Sequence, residues 1–327
     1  MKTILQSLVE GQSLTRQEAS EAMLQIGEGK WTEASIGAFL MGIQSKGVTV
    51  EEIIGFREAM LSLATPVPLA EFDAMDVCGT GGDGKDTFNI STTAAFVVAG
   101  AGQKVAKHGN HGVSSSVGSS TVLEYLGVPF TADVDLLRSK LETAGITYLH
   151  APLFHPAMRF VAPVRKAMGI KTVFNLLGPL LNPAHVTKQL TGVYSPAIFE
   201  LYRGVFSQLS GSFGIVWSVD GYDEISLTGE FWVGVSGGKS TYTPEDIGFI
   251  SSSQESLHGG ATVEDSARIL IQVLQNQGSS AQTNAVLANA GLALSVARSI
   301  TLEEGISQAR ESLESGQAYQ VFQRLIA

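Results

Sequence analysis

The sequence predicts an α/β protein with two domains, a small N-terminal helical domain and a large α/β domain with a central, mainly parallel sheet. The chain has 327 residues, more than the roughly 250–300 residues that one hydrophobic core usually serves. Apolar residues recur at helical spacing as far as about residue 66. From Ala74 onward, short apolar strands alternate with helical stretches, as they do in sheets whose strands are joined by helical crossovers.

Residues 1–66 are predicted to be helical because helix-start signals precede their amphipathic stretches. A threonine followed three residues later by a glutamate has the spacing of a capping box, in which two side chains satisfy free amides at a helix start. The pairs Thr15–Glu18 and Thr49–Glu52 have this spacing. The segment Thr-Pro-Val-Pro at 65–68 is typical of a linker and therefore marks the end of this helical region.

The second domain is predicted from the alternation of strands and helices. Residues 224–243 have the pattern of short antiparallel strands, and residues 263–327 return to helical periodicity. The predicted strands are 75–77, 104–106, 147–149, 190–194 and 214–219, and the predicted helices between them are 91–101, 119–126, 133–144 and 197–209.

Composition and charge exclude several classes of protein. The net charge is −10, so a broadly basic nucleic-acid surface is disfavoured and any anionic ligand must be held by local features. The single cysteine, Cys78, cannot form an internal disulfide, and the six histidines lack the HExxH spacing of zinc enzymes. Residues 1–12 contain too short an apolar stretch for a signal peptide, and no apolar run approaches the ~18 residues of a membrane span. We therefore expect a cytoplasmic protein with no nucleic-acid or membrane partner.

The segment Gly79–Gly84 follows the first predicted strand and matches the spacing GxGxxG. A dinucleotide-binding fold would need a helix at the last glycine and an acidic residue about 20 positions later. Here polar residues 85–89 intervene, and no Asp or Glu occurs from residue 87 to residue 123. A mononucleotide P-loop is also disfavoured, because Asp86 occupies the position of the Ser or Thr that binds magnesium.

What remains is a strand, a loop with four glycines, and a helix that begins near Ser91. Successive backbone amides of such a loop, together with the free amides of a helix start, can hold phosphate. The acid-free span 87–123 also carries Lys104 and Lys107, and Lys107 is a point charge that suits phosphate. The alternative is that the glycines only form tight turns, but the loop, helix start and lysine together favour an anion site.

Three further features are candidates for binding. Residues 107–116 follow the second predicted strand, at a carboxyl end where open α/β sheets bind ligands, although a flexible polar loop is the alternative.

Asp223 and Glu224 follow a later strand and, with Ser91, suit a hard cation, although an arbitrary pair would more often be a solvated turn. Arg165 lies in a predicted helix, 158–168, and carries a planar fork that can hold a carboxylate; a surface arginine is the alternative.

Motifs spread over nearly the whole chain resemble one known family. They are GTGGDG with TFNIST, KHGN with VSS, HPAMRFVAPVRKAMGI, NLLGPLLNP and GYDEIS. In sequence, order and spacing, they strongly resemble the anthranilate phosphoribosyltransferases. The resemblance implies a homodimer with a nucleoside phosphorylase/phosphoribosyltransferase-like fold and an active site at the hinge between its domains. The implied helical domain is 1–68 plus about 167–187, and the implied α/β domain is 69–166 and 188–327.

The resemblance also implies the binding residues, matched position by position. It places the acceptor, anthranilate, near Gly79, His108, Asn110 and Arg165, and Mg²⁺ on Ser91, Asp223 and Glu224. One departure is the pair His111-Gly112 after KHGN, where the family usually has Arg-Ser or a similar pair. The donor, phosphoribosyl pyrophosphate, is assigned to Gly79, Gly82, Asp83, Thr87, Asn89, Ile90, Ser91, Thr92, Lys107, His108, Gly109, Asn110, Ser115 and Ser119.

The implied reaction is the displacement of pyrophosphate from the anomeric carbon of the donor by the amine of anthranilate, as in tryptophan biosynthesis. The aromatic amine is neutral at pH 7, so no residue is expected to act as a covalent or acid–base catalyst. Catalysis would come from positioning and charge stabilisation. Two alternatives are a pyrimidine-nucleoside phosphorylase-like enzyme, which would use free phosphate, and a non-catalytic nucleic-acid-binding relative, which should carry a basic surface.

Overall fold

The computed structural model describes residues 1–112 and 117–327 and divides the chain into two compact units. The helical unit comprises Met1–Val67 and Ala151–Pro183, and the sheet unit comprises Pro68–His150 and Ala184–Ala327. The sequence placed the segment that returns to the helical region at about 167–187. In the structure this segment begins at residue 151 and ends at residue 183.

The helical unit has the helix starts that its sequence predicts, because both capping boxes form at Thr15 and Thr49. Its core includes Phe39, whose ring makes edge-to-face contacts with the rings of Trp31 and Phe56. The helices of the unit are α1 (Lys2–Val9), α2 (Arg16–Gly27), α3 (Glu33–Lys46), α4 (Val50–Ser62), α8 (Ala151–Phe154), α9 (Ala162–Met168) and α10 (Phe174–Leu177), with 3₁₀ turns at Pro156–Phe160 and Gly178–Leu180.

The helix predicted over 158–168 is interrupted. A 3₁₀ turn covers Pro156–Phe160 and α9 begins only at Ala162, so the prediction of one continuous helix is wrong. Pro163, the second residue of α9, has no N–H to donate, and in a continuous helix its ring would collide with the carbonyl four residues earlier. Arg165 therefore lies in a short helix of its own.

The sheet unit alternates strands and helices, as its periodicity predicts. Its strands are β1 (Met75–Gly79), β2 (Val105–Gly109), β3 (Ile146–His150), β4 (Lys188–Gly192), β5 (Ser212–Ser218), β6 (Phe231–Val235) and β7 (Gly238–Tyr242). Its helices are α5 (Ile90–Gly100), α6 (Ser119–Tyr125), α7 (Val134–Thr143), α11 (Pro196–Phe206), α12 (Val263–Leu274), α13 (Ser280–Arg298), α14 (Leu302–Glu314) and α15 (Gln317–Ile326), with 3₁₀ turns at Ala70–Phe72, Glu245–Ile247 and Gln254–Leu257.

The seven strands form one sheet in the order β3-β2-β1-β4-β5-β6-β7. Strands β1 to β5 are parallel, whereas β6 and β7 extend the sheet as an antiparallel hairpin. The strand order reverses between β1 and β4, because β2 and β3 lie on one side of β1 and β4 and β5 on the other. Open α/β sheets bind ligands at the carboxyl ends of strands beside such a switch point.

Apolar helices form much of the core of the sheet unit. Helix α5 is apolar on nearly all sides and buried, and α13, α14 and α15 pack against it. Among the described residues, no single helix is long and apolar enough to cross a membrane; α13 and α14 reach that length and composition only as a pair bent by 118°. Only residues 85–89 separate the glycine loop from α5, so the fixed position of α5 in the core also fixes where the segment after the loop ends.

The two outer strands of the sheet have different surroundings. Strand β3 is buried along its whole length, and α7 and α15 pack against it. Strand β7 exposes Lys239, Ser240 and Thr241. The Nζ atom of Lys239 also lies 3.5 Å from the centroid of the Trp232 ring in β6, so this end of the sheet is polar and charged.

Candidate active site

The candidate site is centred on the switch point between β1 and β4. The last residues of the two strands, Gly79 and Gly192, are partners in the sheet register. A Cβ on Gly79 would lie well inside van der Waals contact with the Asp223 carboxylate, and a Cβ on Gly192 would overlap the Asp223 backbone carbonyl. Asp223 therefore rests directly on the ends of both strands, which is possible only where neither residue has a side chain.

Asp223 and Glu224 bind backbone amides of the loop and the helix that follow β1. The Gly81 N–H donates to Oδ2 of Asp223 at 2.7 Å, and the Ser91 N–H donates to Oε1 of Glu224 at 3.2 Å. Ser91 lies in the first turn of α5, where free N–H groups carry the positive end of the helix dipole. The two carboxylates are thus joined to segments 142 and 133 residues earlier in the chain.

The glycine loop packs against the connection that carries these carboxylates. Three of its four glycines have positive φ, so the loop requires glycine for its conformation as well as for its small size. The Nζ atom of Lys85 lies 4.7 Å from the centroid of the Tyr222 ring, and the Lys85 N–H donates to Oδ1 of Asp83 at 3.2 Å. The end of the loop is therefore held next to the residue that precedes Asp223.

Burial and repulsion between carboxylates raise the pKa of both Asp223 and Glu224. The pKa of Asp223 is raised to about 7, first by burial and then by the charge of Asp83. Burial and the charge of Asp223 raise the pKa of Glu224 well above its usual range, against the opposing effect of Lys107. Asp223 and Glu224 are therefore held close together in a desolvated place, where a nearby cation would favour the charged forms of both.

Several buried polar atoms beside this cluster have no hydrogen-bond partner among the described protein atoms. They are Oγ1 of Thr80, Oδ2 of Asp83 and Oδ1 of Asn89. Buried polar groups in native proteins are nearly always hydrogen-bonded, so orphaned atoms at one place indicate where a polar ligand would bind. All three belong to the glycine loop or to the residue just before α5.

Strand β2 brings two further predicted residues beside β1. Lys107 and His108 are both buried. The Lys107 ammonium donates to the carbonyl of Val77, and the His108 N–H donates to Oδ1 of Asp76 at 3.2 Å. Lys107 therefore supplies a buried positive charge next to β1, close enough to act on Glu224.

The end of β2 is linked to the start of α6 by hydroxyl groups. The Ser119 hydroxyl donates to the Asn110 carbonyl at 3.2 Å and lies 2.9 Å from the Tyr148 hydroxyl. Ser120 contacts the same hydroxyl and Nδ1 of His150, each at 2.8 Å. This network fixes Asn110 and Ser119, two predicted donor residues, relative to β3.

Four of the other predicted donor residues lie at or near the start of α5. Thr87 forms an isolated antiparallel bridge with His258. The Asn89 side-chain amide donates to the Val117 carbonyl at 3.1 Å, so its oxygen is the atom left for a ligand. Ile90 and Thr92 are buried in the first turn of α5. Ser115 lies outside the described residues.

Arg165 belongs to the helical unit, whereas the other predicted acceptor residues belong to the sheet unit. Its guanidinium carbon lies 5.5 Å from the centroid of the Phe174 ring, and Nη2 donates to Oδ1 of Asn175 at 3.4 Å. Burial lowers the pKa of Arg165, but an arginine remains charged at neutral pH. The side chain is thus a partly buried cation held by a ring and an amide.

Comparison with known proteins identifies the family of the chain. Residues 71–319 match the a/b domain of a glycosyl transferase family, and residues 2–64 match the helical bundle domain. The chain is 51% identical to an anthranilate phosphoribosyltransferase of Cytophaga hutchinsonii over 327 residues, which is the full length of both. The chain belongs to the anthranilate phosphoribosyltransferase family. A family member from Bacteroides thetaiotaomicron is 47% identical over 327 residues, 100% of this chain and 98% of the relative.

Solved structures of anthranilate phosphoribosyltransferases have the same fold. That of Thermus thermophilus has a TM-score of 0.93 at 36% identity, covering 99% of this chain and 98% of the other. One from Saccharomyces cerevisiae, in complex with PRPP and Mg, has a TM-score of 0.91 at 28% identity, covering 99% and 96%. The same yeast protein in complex with 4-fluoroanthranilate has a TM-score of 0.89 at 27% identity, with the same coverage. The predicted fold class and family are confirmed.

Three residues that shape this candidate site were not predicted from the sequence. Gly192 was assigned only to a strand, because its contact with Asp223 depends on strand order. The Ser218 hydroxyl donates to the Glu224 carbonyl at 2.7 Å, which nothing in the strand pattern indicates. The third residue, Asn289, hydrogen-bonds the backbone of Ile225, and one available signal was an asparagine within the apolar sequence of α13.

Proposed function

We propose that this chain transfers the phosphoribosyl group of phosphoribosyl pyrophosphate to the amine of anthranilate, giving phosphoribosylanthranilate and pyrophosphate for tryptophan biosynthesis. The observation that carries this proposal is the attachment of Asp223 and Glu224 to the glycine loop and to the start of α5. Two carboxylates beside an amide-rich loop suit a metal–pyrophosphate donor better than free phosphate, which argues against the nucleoside phosphorylase-like alternative. The membership of the family supports the same reaction.

The donor would be held by the segments that meet at the switch point. Its pyrophosphate would accept hydrogen bonds from the amides of the glycine loop and the first turn of α5, where the helix dipole favours negative charge. The orphaned oxygens of Thr80 and Asn89 belong to these same two segments, the glycine loop and the residue before α5, and Lys107 adds a buried positive charge. The 5′-phosphate end would contact the segment around Asn110 and Ser119, together with Ser115, which lies outside the described residues.

The residues present fit a divalent cation. Asp223 and Glu224 are adjacent carboxylates whose raised pKa values reflect burial and repulsion, and a hard cation would relieve both. Within the described ranges, no group of three or more His, Cys, Asp or Glu side chains is arranged to hold a metal ion, so pyrophosphate and water would complete the shell. We assign Mg²⁺ to Asp223, Glu224 and the hydroxyl of Ser91; when bound, it neutralises the charge that develops on the leaving pyrophosphate.

The acceptor would be oriented by Arg165, with Gly79, His108 and Asn110 as its other proposed neighbours. A guanidinium can bind a carboxylate through two parallel hydrogen bonds, which would align the ring of anthranilate and its ortho amine. Phe174 and Asn175 support the guanidinium of Arg165 from two sides, so less side-chain freedom would be lost when the acceptor binds.

The protein's own groups would act by positioning and by electrostatics. Backbone amides of the glycine loop and α5 would stabilise the charge on the leaving group, because they are fixed before the reaction begins. Holding the amine and the anomeric carbon in line would convert a bimolecular step into an effectively unimolecular one. The amine attacks as a neutral nucleophile and releases its proton after the bond forms, so no side chain needs to act as a strong base.

The proposed setting of the enzyme is a homodimer in the cytoplasm. The family resemblance supports the dimer. A single cysteine in the sequence is compatible with a reducing compartment. We propose no nucleic-acid or membrane partner, because the net charge is −10 and such surfaces are anionic.

The direct test is to follow the fluorescence of anthranilate after mixing with phosphoribosyl pyrophosphate, with and without Mg²⁺. We expect anthranilate to be consumed only when donor and metal are both present. Consumption that is unchanged after complete removal of divalent cations would contradict the metal assignment, and no consumption under any condition would contradict the function.

Matched variants make the test specific to the carboxylates. Asp223→Asn and Glu224→Gln should each lower kcat/KM for the donor by about a hundredfold, because each removes a charge that would face the metal–pyrophosphate group. Glu230→Gln is the control, since Glu230 is an exposed carboxylate on the same connection. It should behave like the unmodified enzyme.

A further inference from the structure

Asn289 is a buried polar residue in an otherwise apolar stretch of α13. It is 1% exposed, and the neighbouring helix positions from Ala285 to Leu294 are buried and apolar or glycine. Burying a carboxamide in such a place is unfavourable unless its hydrogen bonds are satisfied. The side chain of Asn289 must therefore make interactions that an alanine or leucine at this position could not make.

The carboxamide of Asn289 is fully engaged with backbone groups. Its Oδ1 accepts the Ile225 N–H at 3.0 Å, while its Nδ2 donates to the Ile225 carbonyl at 2.9 Å and to the Ala285 carbonyl at 2.8 Å. A carbonyl can only accept, so the bond to Ala285 determines which end of the amide faces each group. Asn289 thus binds both polar backbone groups of Ile225, as a neighbouring β-strand would.

Ile225 directly follows the carboxylate pair. The connection from residue 219 to residue 230 has no regular secondary structure. Backbone partners hold its two ends, where the Val219 N–H donates to the Glu230 carbonyl at 2.9 Å, whereas side chains hold the backbone next to the carboxylate pair. The Ser218 hydroxyl holds the Glu224 carbonyl on one side, and Asn289 holds Ile225 on the other. Because α13 also packs against α5, the helix that holds the connection is in contact with the helix that carries Ser91.

We propose that Asn289 is a positioning residue for donor binding: by fixing the backbone of Ile225, it holds the carboxylates of Asp223 and Glu224 toward the glycine loop and the start of α5. This proposal rests on the proposed role of the two carboxylates in binding the metal–pyrophosphate donor. Asn289 itself does not touch the donor, and its effect passes through the backbone of the connection.

The test compares Asn289→Ala with two reference variants in the full-length enzyme. Asp223→Asn reports the loss of a carboxylate. Ser312→Ala reports the loss of a buried hydrogen bond away from the connection, since the Ser312 hydroxyl donates to the Val97 carbonyl in α5 at 2.7 Å. The measurements are KM for phosphoribosyl pyrophosphate, the Mg²⁺ concentration for half-maximal rate, KM for anthranilate and the thermal midpoint.

We expect Asn289→Ala to raise the donor KM and the half-maximal Mg²⁺ concentration by about tenfold, because it leaves two backbone groups unpaired and the carboxylates displaced. KM for anthranilate should change by less than about twofold. Ser312→Ala should lower the thermal midpoint and leave all three constants unchanged. A purely structural role for Asn289 would give the pattern of Ser312→Ala.

A second variant covers the case in which Asn289→Ala does not fold. Asn289→Asp keeps the size and one acceptor but sets an oxygen against the carbonyls of Ile225 and Ala285, and the same selective loss is expected. If the Asn289 variants leave the donor KM and the half-maximal Mg²⁺ concentration unchanged while Asp223→Asn raises both, the proposed role of Asn289 is overturned. If Asp223→Asn also leaves them unchanged, the proposed role of the carboxylates fails and this inference fails with it.

Discussion

The guanidinium of Arg165 is held on two sides, by the ring of Phe174 and the side chain of Asn175. Replacing Arg165 with alanine should raise KM for anthranilate by about 10- to 100-fold, because the proposed charge-assisted bidentate interaction with the acceptor carboxylate would be lost. KM for the donor should rise by less than about threefold. Steady-state kinetics with each substrate varied in turn would measure both.

The control for this prediction is Arg159→Ala. Arg159 is an exposed arginine in the neighbouring 3₁₀ turn, where its guanidinium carbon lies 4.6 Å from the centroid of the Phe160 ring. The Arg159→Ala substitution should leave KM for anthranilate and KM for the donor unchanged. Equal increases in both constants for Arg165→Ala would show that Arg165 does not act on the acceptor selectively.

His155 gives the helical unit a sensitivity to acid. Burial lowers its pKa from 6.5 to about 4, although a hydrogen bond with the backbone of Leu181 opposes the shift. The folded protein therefore keeps the ring neutral, whereas the unfolded chain binds a proton below about pH 6.5. The contribution of neutral His155 to the free energy of unfolding is therefore complete above pH 6.5. It is lost as the pH falls toward 4, by up to about 3 kcal/mol.

Urea denaturation at pH 7 and pH 5 would measure this effect. The raised pKa values of Asp223 and Glu224 act in the opposite direction, because the folded protein then binds more protons than the unfolded chain between pH 5 and pH 7. The effect of His155 is therefore isolated by comparison with His155→Gln, whose side chain does not titrate. Lowering the pH from 7 to 5 should reduce the free energy of unfolding of the unmodified protein relative to that of the variant. An equal difference in both proteins would mean that other groups cause the acid sensitivity.

Two lysines of the acid-free span show that the sequence predicts the charge of a residue but not the direction of its side chain. The sequence marks Lys104 and Lys107 alike as positive charges near a possible phosphate site. In the structure Lys104 donates to the carbonyls of Leu141 and Glu142 at the end of α7, whereas Lys107 points to β1. Their side chains differ in direction because successive residues of a strand alternate between its faces, and the sequence alone did not say which face the site would occupy.

At the scale of elements, the ends of β1 and β4 allow a sharp prediction. Gly192→Ala should displace Asp223, because the added Cβ would overlap its backbone carbonyl and backbone cannot move aside as a flexible side chain can. We expect kcat/KM for the donor to fall by at least about a hundredfold. The comparison is Gly229→Ala on the connection after β5, where an added Cβ meets nothing within 4 Å.

Both variants should be assayed with saturating anthranilate, and their circular dichroism spectra should be compared. Gly229→Ala should retain its rate. If Gly192→Ala has the same kcat/KM for the donor as the unmodified enzyme, the close approach of Asp223 to β4 has no role in donor binding.

Elements whose periodicity is local were predicted well. The capping boxes at Thr15 and Thr49, and the alternation of strands and helices after Ala74, depend only on neighbouring residues. The break before α9 is not visible in the periodicity, because apolar residues continue on both sides of Pro163. The contact of Asn289 with Ile225 joins residues 64 positions apart, and no local pattern encodes such a separation.

At the scale of the whole molecule, the proposed homodimer is directly measurable. Light scattering coupled to size-exclusion chromatography should give a mass of about twice the 34.5 kDa of one chain at micromolar concentration. Sedimentation at several concentrations would separate a stable dimer from a weak one. A single species of one-chain mass across that range would refute the assembly.

The strand order explains why the site as a whole was harder to predict than its parts. The sequence identified the glycine loop, Lys107 and the Asp223–Glu224 pair separately, and the motifs joined them only through the family resemblance. Their proximity follows from the placement of β4 and β5 beside β1, and strand order is set by long-range packing. Residues such as Gly192 become informative only after that order is known.

The polar strand β7 has a consequence for the protein in concentrated solution. An outer strand with free backbone groups can pair with the same strand of another molecule and so begin aggregation. Lys239, Ser240 and Thr241 are exposed there, and a lysine on such a strand opposes pairing because it would bring like charges together and require loss of its hydration. The buried strand β3 presents no such template, so the sheet is protected from edge-to-edge association by charge at one end and by covering helices at the other.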